Sequence, residues 1–216
     1  MHISIQQQKI IIEKMKESSI QIMEKPEWVT WDEIHEVLWE SHAKNREQCI
    51  VNTYPLMPGD EIRRFVGDKG KMFVALSGKK VVATGAVLIK NDRRWYTKGD
   101  YAYVCLGAIL LEYRKRGIYF PLEKITEAYA KSFSSLLVTD MHEYNKTIQK
   151  LRLREGFQYV AYKACKDHCN VVMAKWFNEC PYPLWYIKFR FLLSKLYAKT
   201  RFKMVPGKGR VKRFGI

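Results

Sequence analysis

The chain has 216 residues, 47% of them hydrophobic and 13% aromatic, enough apolar matter for a packed core and too much for a disordered polymer. Its formal charge of +16 is uneven: Cys180 to Ile216 carries ten lysines and arginines and no acid, and the remainder carries 28 bases against 22 acids. No uncharged apolar run reaches the roughly eighteen residues of a spanning helix, and the start lacks the basic, apolar and small-residue regions of a signal peptide, so a cytoplasmic protein is expected.

In chain order, residues 3–17 place Ile10, Ile11, Ile12 and Met15 among lysines and predict an amphipathic helix. The stretch SIQIMEKP (19–26) alternates and predicts a short strand. Thr30 or Asp32 caps a helix running to about His42, with Ile34, Val37 and Leu38 as its apolar face. PGDEIRRFVGD (58–68) predicts a shorter helix with Gly67 near its end. KMFVALS (71–77) and VVATGAVLI (81–89), separated by Gly78 and two lysines, predict a hairpin. Residues 91–100 form a polar loop. YAYVCLGAILL (101–111) reads as a long apolar strand, followed by a helix to about Phe133. SLLVTDM (135–141) is a strand buried on both faces, and 145–155 is a helix ended by Gly156. FQYVAYKA (157–164) and NVVMAKWF (170–177) alternate and close the sheet. The order is that of a mixed α/β fold, with an N-terminal helix (1–18), one α/β domain (19–178) and a basic C-terminal extension (179–216).

Five cysteines are an odd number without a regular framework, which suits reduced thiols. Cys165 and Cys169 flank His168, but no second pair lies at a zinc-site distance, so no metal is expected. The informative turn is EYRKRGIYF (112–120), where a buried strand hands over to a helix. A helix start offers free N–H groups and a positive dipole end, to which phosphate binds. Gly117 lets backbone approach an anion, and Arg114, Lys115 and Arg116 add charge. Taken alone, such a turn is more commonly a solvated charged loop.

Spacing adds specificity. Arg114 and Gly117 stand in a strand–turn–helix unit, and NKTIQKLRLREGF (145–157) follows with Asn145, Gly156 and Phe157. In that order and register the chain, over about residues 19–177, resembles the GNAT acyltransferases. The resemblance implies a mostly antiparallel central sheet with a splayed strand pair, flanked by helices. It also implies acetyl-CoA, or another acyl-CoA, as co-substrate and an amine as acceptor, a small molecule or a sugar. Gly107, Ala108 and Ile109 match the strand edge that pairs with the pantetheine arm, with Gly107 as the candidate bulge residue. The amides of Lys115, Arg116, Gly117, Ile118, Tyr119 and Phe120 match the pyrophosphate cradle. Asn145 matches the asparagine near the thioester, and Asp140 a position where some relatives carry a carboxylate base, although a capping role is the commoner use of such a residue. His142 and Glu143 are neighbours that suit the same work.

Two residues depart from the pattern. Tyr119 replaces the last small residue of the turn, so its ring must turn aside or the cofactor's phosphate arm must shift. Arg152 stands where many relatives have a tyrosine that protonates the leaving thiolate; a guanidinium is a poor acid at neutral pH, though its charge can stabilise thiolate. Tyr113, Tyr144 and Tyr159 are substitute donors. The acceptor pocket is assigned to the first two helices and the loop from Asn91 to Gly99.

The tail supports a rival reading. From Leu184 to Phe202 the pattern is helical, with Trp185, Phe189, Leu192 and Leu196 on one face and Lys188, Lys195 and Lys199 beside it. Such a helix either packs on the domain or on a second subunit, or lies with residues 184–213 at an anionic membrane surface on the inner membrane face. Nucleic-acid contact is a third reading, with no accompanying motif. A GNAT-like fold without catalysis, docking through this tail on membrane or nucleic acid, is the alternative to an enzyme.

Overall fold

The computed structural model describes residues 20–48, 57–165 and 168–204. The helix expected over 3–17 lies outside these, as does Cys49. The described elements are strand β1 (Ile20–Glu24), helices α1 (Trp31–Ser41), α2 (Ala43–Glu47) and α3 (Gly59–Val66), and strands β2 (Lys71–Ser77), β3 (Lys80–Lys90) and β4 (Tyr101–Ile109). A 3-10 turn (Leu111–Tyr113), helix α4 (Tyr119–Lys131), strand β5 (Leu136–His142), helix α5 (Lys146–Arg154), strands β6 (Gln158–Ala164) and β7 (Cys169–Trp176) and helix α6 (Leu184–Met204) follow. The seven strands run in the order β1-β2-β3-β4-β5-β7-β6. The β1–β2, β2–β3, β5–β7 and β6–β7 ladders are antiparallel, and β4–β5 is parallel. This is the mixed, mostly antiparallel α/β sheet that the sequence predicts.

The chain forms two compact units. Of the described residues, the first takes 20–44, 57–88 and 106–129, and the second 45–48, 89–105 and those from 130 to 204, so β4 begins in the second and ends in the first. In the first, Thr30 caps α1 by a capping box: its hydroxyl accepts from Glu33 N at 3.2 Å, and the Glu33 carboxylate accepts from Thr30 N at 2.7 Å. That reciprocal pair satisfies two otherwise orphaned donors. Ile34 and Leu38 on α1 and Ile62 on α3 are buried with Val74, Leu76 and Val82 of the hairpin. Helix α4 crosses β3 at Gly85, where an added Cβ would already touch Leu122 and Thr126. A larger side chain there would push the helix off the strand.

In the second unit, β5 pairs with β7 along its whole length, from Leu136↔Trp176 to His142↔Asn170. Leu137, Val138, Val160 and Met173 are buried. Helix α6 packs on β6: Ile187 and Ala198 are buried, Ser194 Oγ accepts from Tyr162 N at 2.8 Å, and the rings of Tyr159 and Phe191 stack at 5.3 Å. Helix α6 is therefore built into this unit. The 91–100 loop is closed by Asp92, which accepts from Tyr101 Oη and Arg94 Nε, and by Tyr182 Oη donating to Trp95 O at 2.8 Å.

Three local expectations change. β4 stops at Ile109 rather than continuing to Leu111, because the chain folds into the 3-10 turn, with Tyr113 N donating to Leu110 O at 3.0 Å. The positive φ of β4 falls on Leu106 (54°), not on Gly107. Thr84 Oγ1 donates to Leu106 O at 2.8 Å and helps hold that irregular carbonyl. The short helix α2 has no counterpart in the apolar pattern, since none of its residues is buried.

Candidate active site

The residues expected to hold a diphosphate lie together in the first unit. After β4, the 3-10 turn reverses the chain, and φ becomes positive at Lys115 (64°) and again at Gly117 (78°). Lys115, Arg116 and Gly117 are exposed, and an added Cβ at Gly117 would meet nothing within 4 Å. Among the described residues, no hydrogen bond is formed by the amides of Lys115, Arg116, Gly117, Ile118 and Phe120. The first hydrogen bond of α4 comes later, from Leu122 N to Ile118 O at 3.2 Å. The helix thus presents its free donors and positive dipole end at an open, cationic turn. The Tyr119 hydroxyl is buried and its ring meets Phe120 edge-on at 5.4 Å, so the phenol does turn aside into the protein.

Arg114 does a different job from its neighbours. Its Nε donates to Ile109 O at 3.2 Å and its Nη2 to Ser41 O at 2.7 Å. The guanidinium ties the turn to the end of β4 and to the C-terminus of α1, where a cation is favourable. Arg116 instead lies over the Tyr113 ring at 4.8 Å, and among the described residues Lys115 makes no such contact. Gly107 is exposed on β4, while Ala108 is buried and Ile109 half-buried.

The remaining site residues belong to the second unit. β4 and β5 pair at Ala102↔Leu137 and Tyr103↔Val138, and this short parallel ladder sets Tyr103 beside Asp140. Tyr103 Oη donates to Asp140 Oδ1 at 2.8 Å, and Lys163 Nζ stands 3.6 Å from Asp140 Oδ2. The Asp140 side chain is 6% exposed, yet it caps no helix: it is a carboxylate held by a phenol and an ammonium. Lys90 Nζ lies 6.0 Å from the centre of the Tyr103 ring, adding positive charge. Tyr103 was not singled out by sequence; its position directly across a parallel ladder from β5 is a signal only once strand pairing is known.

Asn145 is the N-cap of α5, its Oδ1 accepting from Ile148 N at 3.4 Å. Gln149 is buried and donates to His142 O at 3.2 Å and Glu143 O at 2.9 Å, which fixes the β5–α5 junction. Its Oε1 accepts from Tyr159 Oη at 3.3 Å, and burial raises the Tyr159 pKa, so that phenol stays protonated at neutral pH. Glu143 accepts from Tyr162 Oη at 2.7 Å. His142 is buried, accepts from Tyr144 N at 3.2 Å and stacks on His168 at 4.9 Å. Arg152 is set apart from these groups: it is buried, pairs with Glu155 at 3.0 Å and lies over the Phe157 ring at 5.2 Å. These contacts fasten α5 to the start of β6.

Burial pushes the Cys169 thiol up to about 11 and the Cys105 thiol further still, so neither supplies thiolate at neutral pH. Among the described residues there is no group of three or more His, Cys, Asp or Glu side chains suited to a metal ion.

No family model matches the sequence, and no curated protein matches it. Solved structures do. An acetyltransferase of the GNAT family from Streptococcus agalactiae superposes with a TM-score of 0.59 at 17% identity, covering 74% of this chain and 96% of its own. The ribosomal-protein-S18-alanine N-acetyltransferase from Escherichia coli gives 0.58 at 13% identity, with 77% and 99% covered. A GNAT-family acetyltransferase from Staphylococcus aureus gives 0.57 at 13%, with 74% and 100% covered. The chain therefore has the GNAT acetyltransferase fold.

Proposed function

We propose that the protein is an acyl-CoA-dependent acyltransferase that moves an acetyl group from acetyl-CoA to an amine by direct transfer. The observation that carries this reading is the set of amides of Lys115, Arg116, Gly117, Ile118 and Phe120 at the start of α4, which form no hydrogen bond among the described residues, with Lys115, Arg116, Gly117 and Phe120 exposed. A diphosphate matches such donors in charge and number, with Lys115 and Arg116 adding attraction. The side chain that could obstruct the turn, Tyr119, has its hydroxyl buried.

Acetyl-CoA supplies an activated acyl carbon, and the chain's residues would orient it and manage protons. The edge of β4 at Gly107 to Ile109 would align the pantetheine arm. Asn145 would add a polar contact near the thioester, in keeping with the resemblance. Asp140 would accept the proton of the attacking amine, because an ammonium has no lone pair to donate. The amine nitrogen then bonds to the acyl carbon, the carbon–sulfur bond breaks, and the thiolate takes up a proton. Tyr159, kept neutral by burial, suits that donation better than Arg152, whose guanidinium is committed to Glu155. The raised thiol pKa values of Cys105 and Cys169 speak against a covalent cysteine relay. The acceptor is a small-molecule or sugar amine, and the free cysteines suit a reducing cytoplasm.

Calorimetric titration with acetyl-CoA tests the reading. Binding is expected below about 1 mM, within the usual range for enzyme substrates, with CoA release when an accepted amine is added. A correctly folded chain that does not bind acetyl-CoA at that concentration would remove the enzyme reading.

A further inference from the structure

Helix α6 carries two apolar faces, and β6 uses only one. The inner face is Ile187, Phe191, Ser194 and Ala198, fixed on β6 by the Tyr162–Ser194 hydrogen bond and the Tyr159–Phe191 stack. At about 100° per residue, Trp185, Phe189, Leu192, Leu193 and Leu196 fall together on the opposite side. They are 69%, 52%, 55%, 44% and 67% exposed. A contiguous apolar row of this kind is costly to leave in water and marks an interaction surface.

Its surroundings define the occupant. Lys188 and Lys199 are exposed along one edge of the row. Arg190 leans over Trp95 at 5.6 Å, which anchors the helix on that side. Cys180 to Ile216 contains no acid, so two copies meeting through this face would set like charges against each other. A nucleic acid would meet the cations but offers no apolar layer to a row of leucines. An anionic lipid surface meets both demands: headgroups pair with the flanking cations while the row enters the headgroup–acyl boundary. Among the described residues no helix is long and apolar enough to cross a membrane. We infer that the outward face of α6 lies flat in the interface of an anionic membrane while its inward face remains packed on β6. This inference is independent of acyl transfer.

Flotation of the full chain with phosphatidylcholine vesicles, with and without phosphatidylglycerol, tests it. Binding is expected to the anionic vesicles alone, with a blue shift of tryptophan emission as Trp185 leaves water. The double substitution Leu192→Ser, Leu196→Ser is expected to weaken binding about tenfold or more. The double substitution Lys188→Gln, Lys199→Gln is expected to weaken it about 25-fold, roughly fivefold per charge. All these positions are exposed, so the thermal transition should be preserved. Three results would overturn the inference: no binding to anionic vesicles; binding that neither variant weakens; or a full chain that is a stable dimer in solution and becomes monomeric with Leu192→Ser, Leu196→Ser. Binding to a polynucleotide without binding to vesicles would also overturn it.

Discussion

Asp140 is useful because of what surrounds it. A carboxylate 6% exposed would ordinarily be costly to bury, but the Tyr103 hydroxyl at 2.8 Å and the Lys163 ammonium at 3.6 Å compensate. Asp140→Asn keeps the shape and removes the base. It should lower kcat/KM about 10²–10⁴-fold and leave acetyl-CoA affinity within error, measured by turnover and calorimetry side by side. An equal loss of affinity would instead place Asp140 in binding. Gly117 makes the reciprocal case. Its φ of 78° costs an L side chain about 1–2 kcal/mol, although the space beside it is open. Gly117→Ala should therefore lower stability by about that amount and weaken acetyl-CoA binding, because the cradle must distort. Unchanged affinity in the folded variant would show that the turn does not hold the cofactor. Arg114, Gly117, Asn145 and Asp140 were legible in the sequence as positions. What each side chain touches was not. Arg114 reads as one more cation but serves as a clamp on two carbonyls, and Arg152 reads as a thiolate partner but is occupied by Glu155. Tyr103 was invisible because its partner lies 37 residues away in the chain.

At the scale of elements, alternation, helical spacing and continuous apolar runs located every described strand and every long helix, because each buries at least one face. They failed where burial is not the cause. Helix α2 has no buried residue, so it leaves no apolar pattern. The end of β4 is decided by backbone conformation at Leu106 and by the 3-10 turn, neither of which hydrophobicity encodes. Capping was readable only in part: the sequence offered Thr30 or Asp32, and the structure selects Thr30, with Glu33 completing a capping box; Thr30→Ala should cost about 1 kcal/mol in urea unfolding. The 91–100 loop answers to pH instead. Burial alone would raise the Asp92 pKa, but hydrogen bonds from Tyr101 and Arg94 outweigh it and the net shift is downward. A carboxyl whose pKa is depressed on folding contributes stability above its unfolded value, roughly 3.9, and that contribution is lost as pH falls through the folded value. Thermal unfolding followed from pH 6 to pH 2 should show a steeper acid loss for the native chain than for Asp92→Asn, while Asp92→Asn should be the less stable of the two near neutrality. Parallel curves would mean that Asp92 does not hold the loop.

At the scale of the whole molecule, helix α6 of the basic extension presents two different faces. The sequence could not separate them, because α6 has apolar residues on opposite sides and an amphipathic pattern with two such faces does not say which is buried. Geometry separates them: Ile187 and Ala198 are 2% and 1% exposed, whereas Trp185 and Leu196 are 69% and 67% exposed. Removing residues 184–216 would uncover Tyr159 and Tyr162 on β6 and forfeit the burial of Ile187 and Ala198 and the stack of Phe191 on Tyr159. At about 1.5–3 kcal/mol for each fully buried side chain, that loss is a large part of the stability of an ordinary domain. Removing only residues 205–216 deletes Lys208, Arg210, Lys212 and Arg213 and no residue of α6. The first truncation should lower the melting temperature of the transition that includes β6 by several degrees or leave that unit unfolded. The second should leave melting unchanged while shifting vesicle binding toward lower salt. If the longer truncation melts like the full chain, the packing of α6 on β6 contributes nothing to the fold, and the division of labour between the two faces of the helix fails with it.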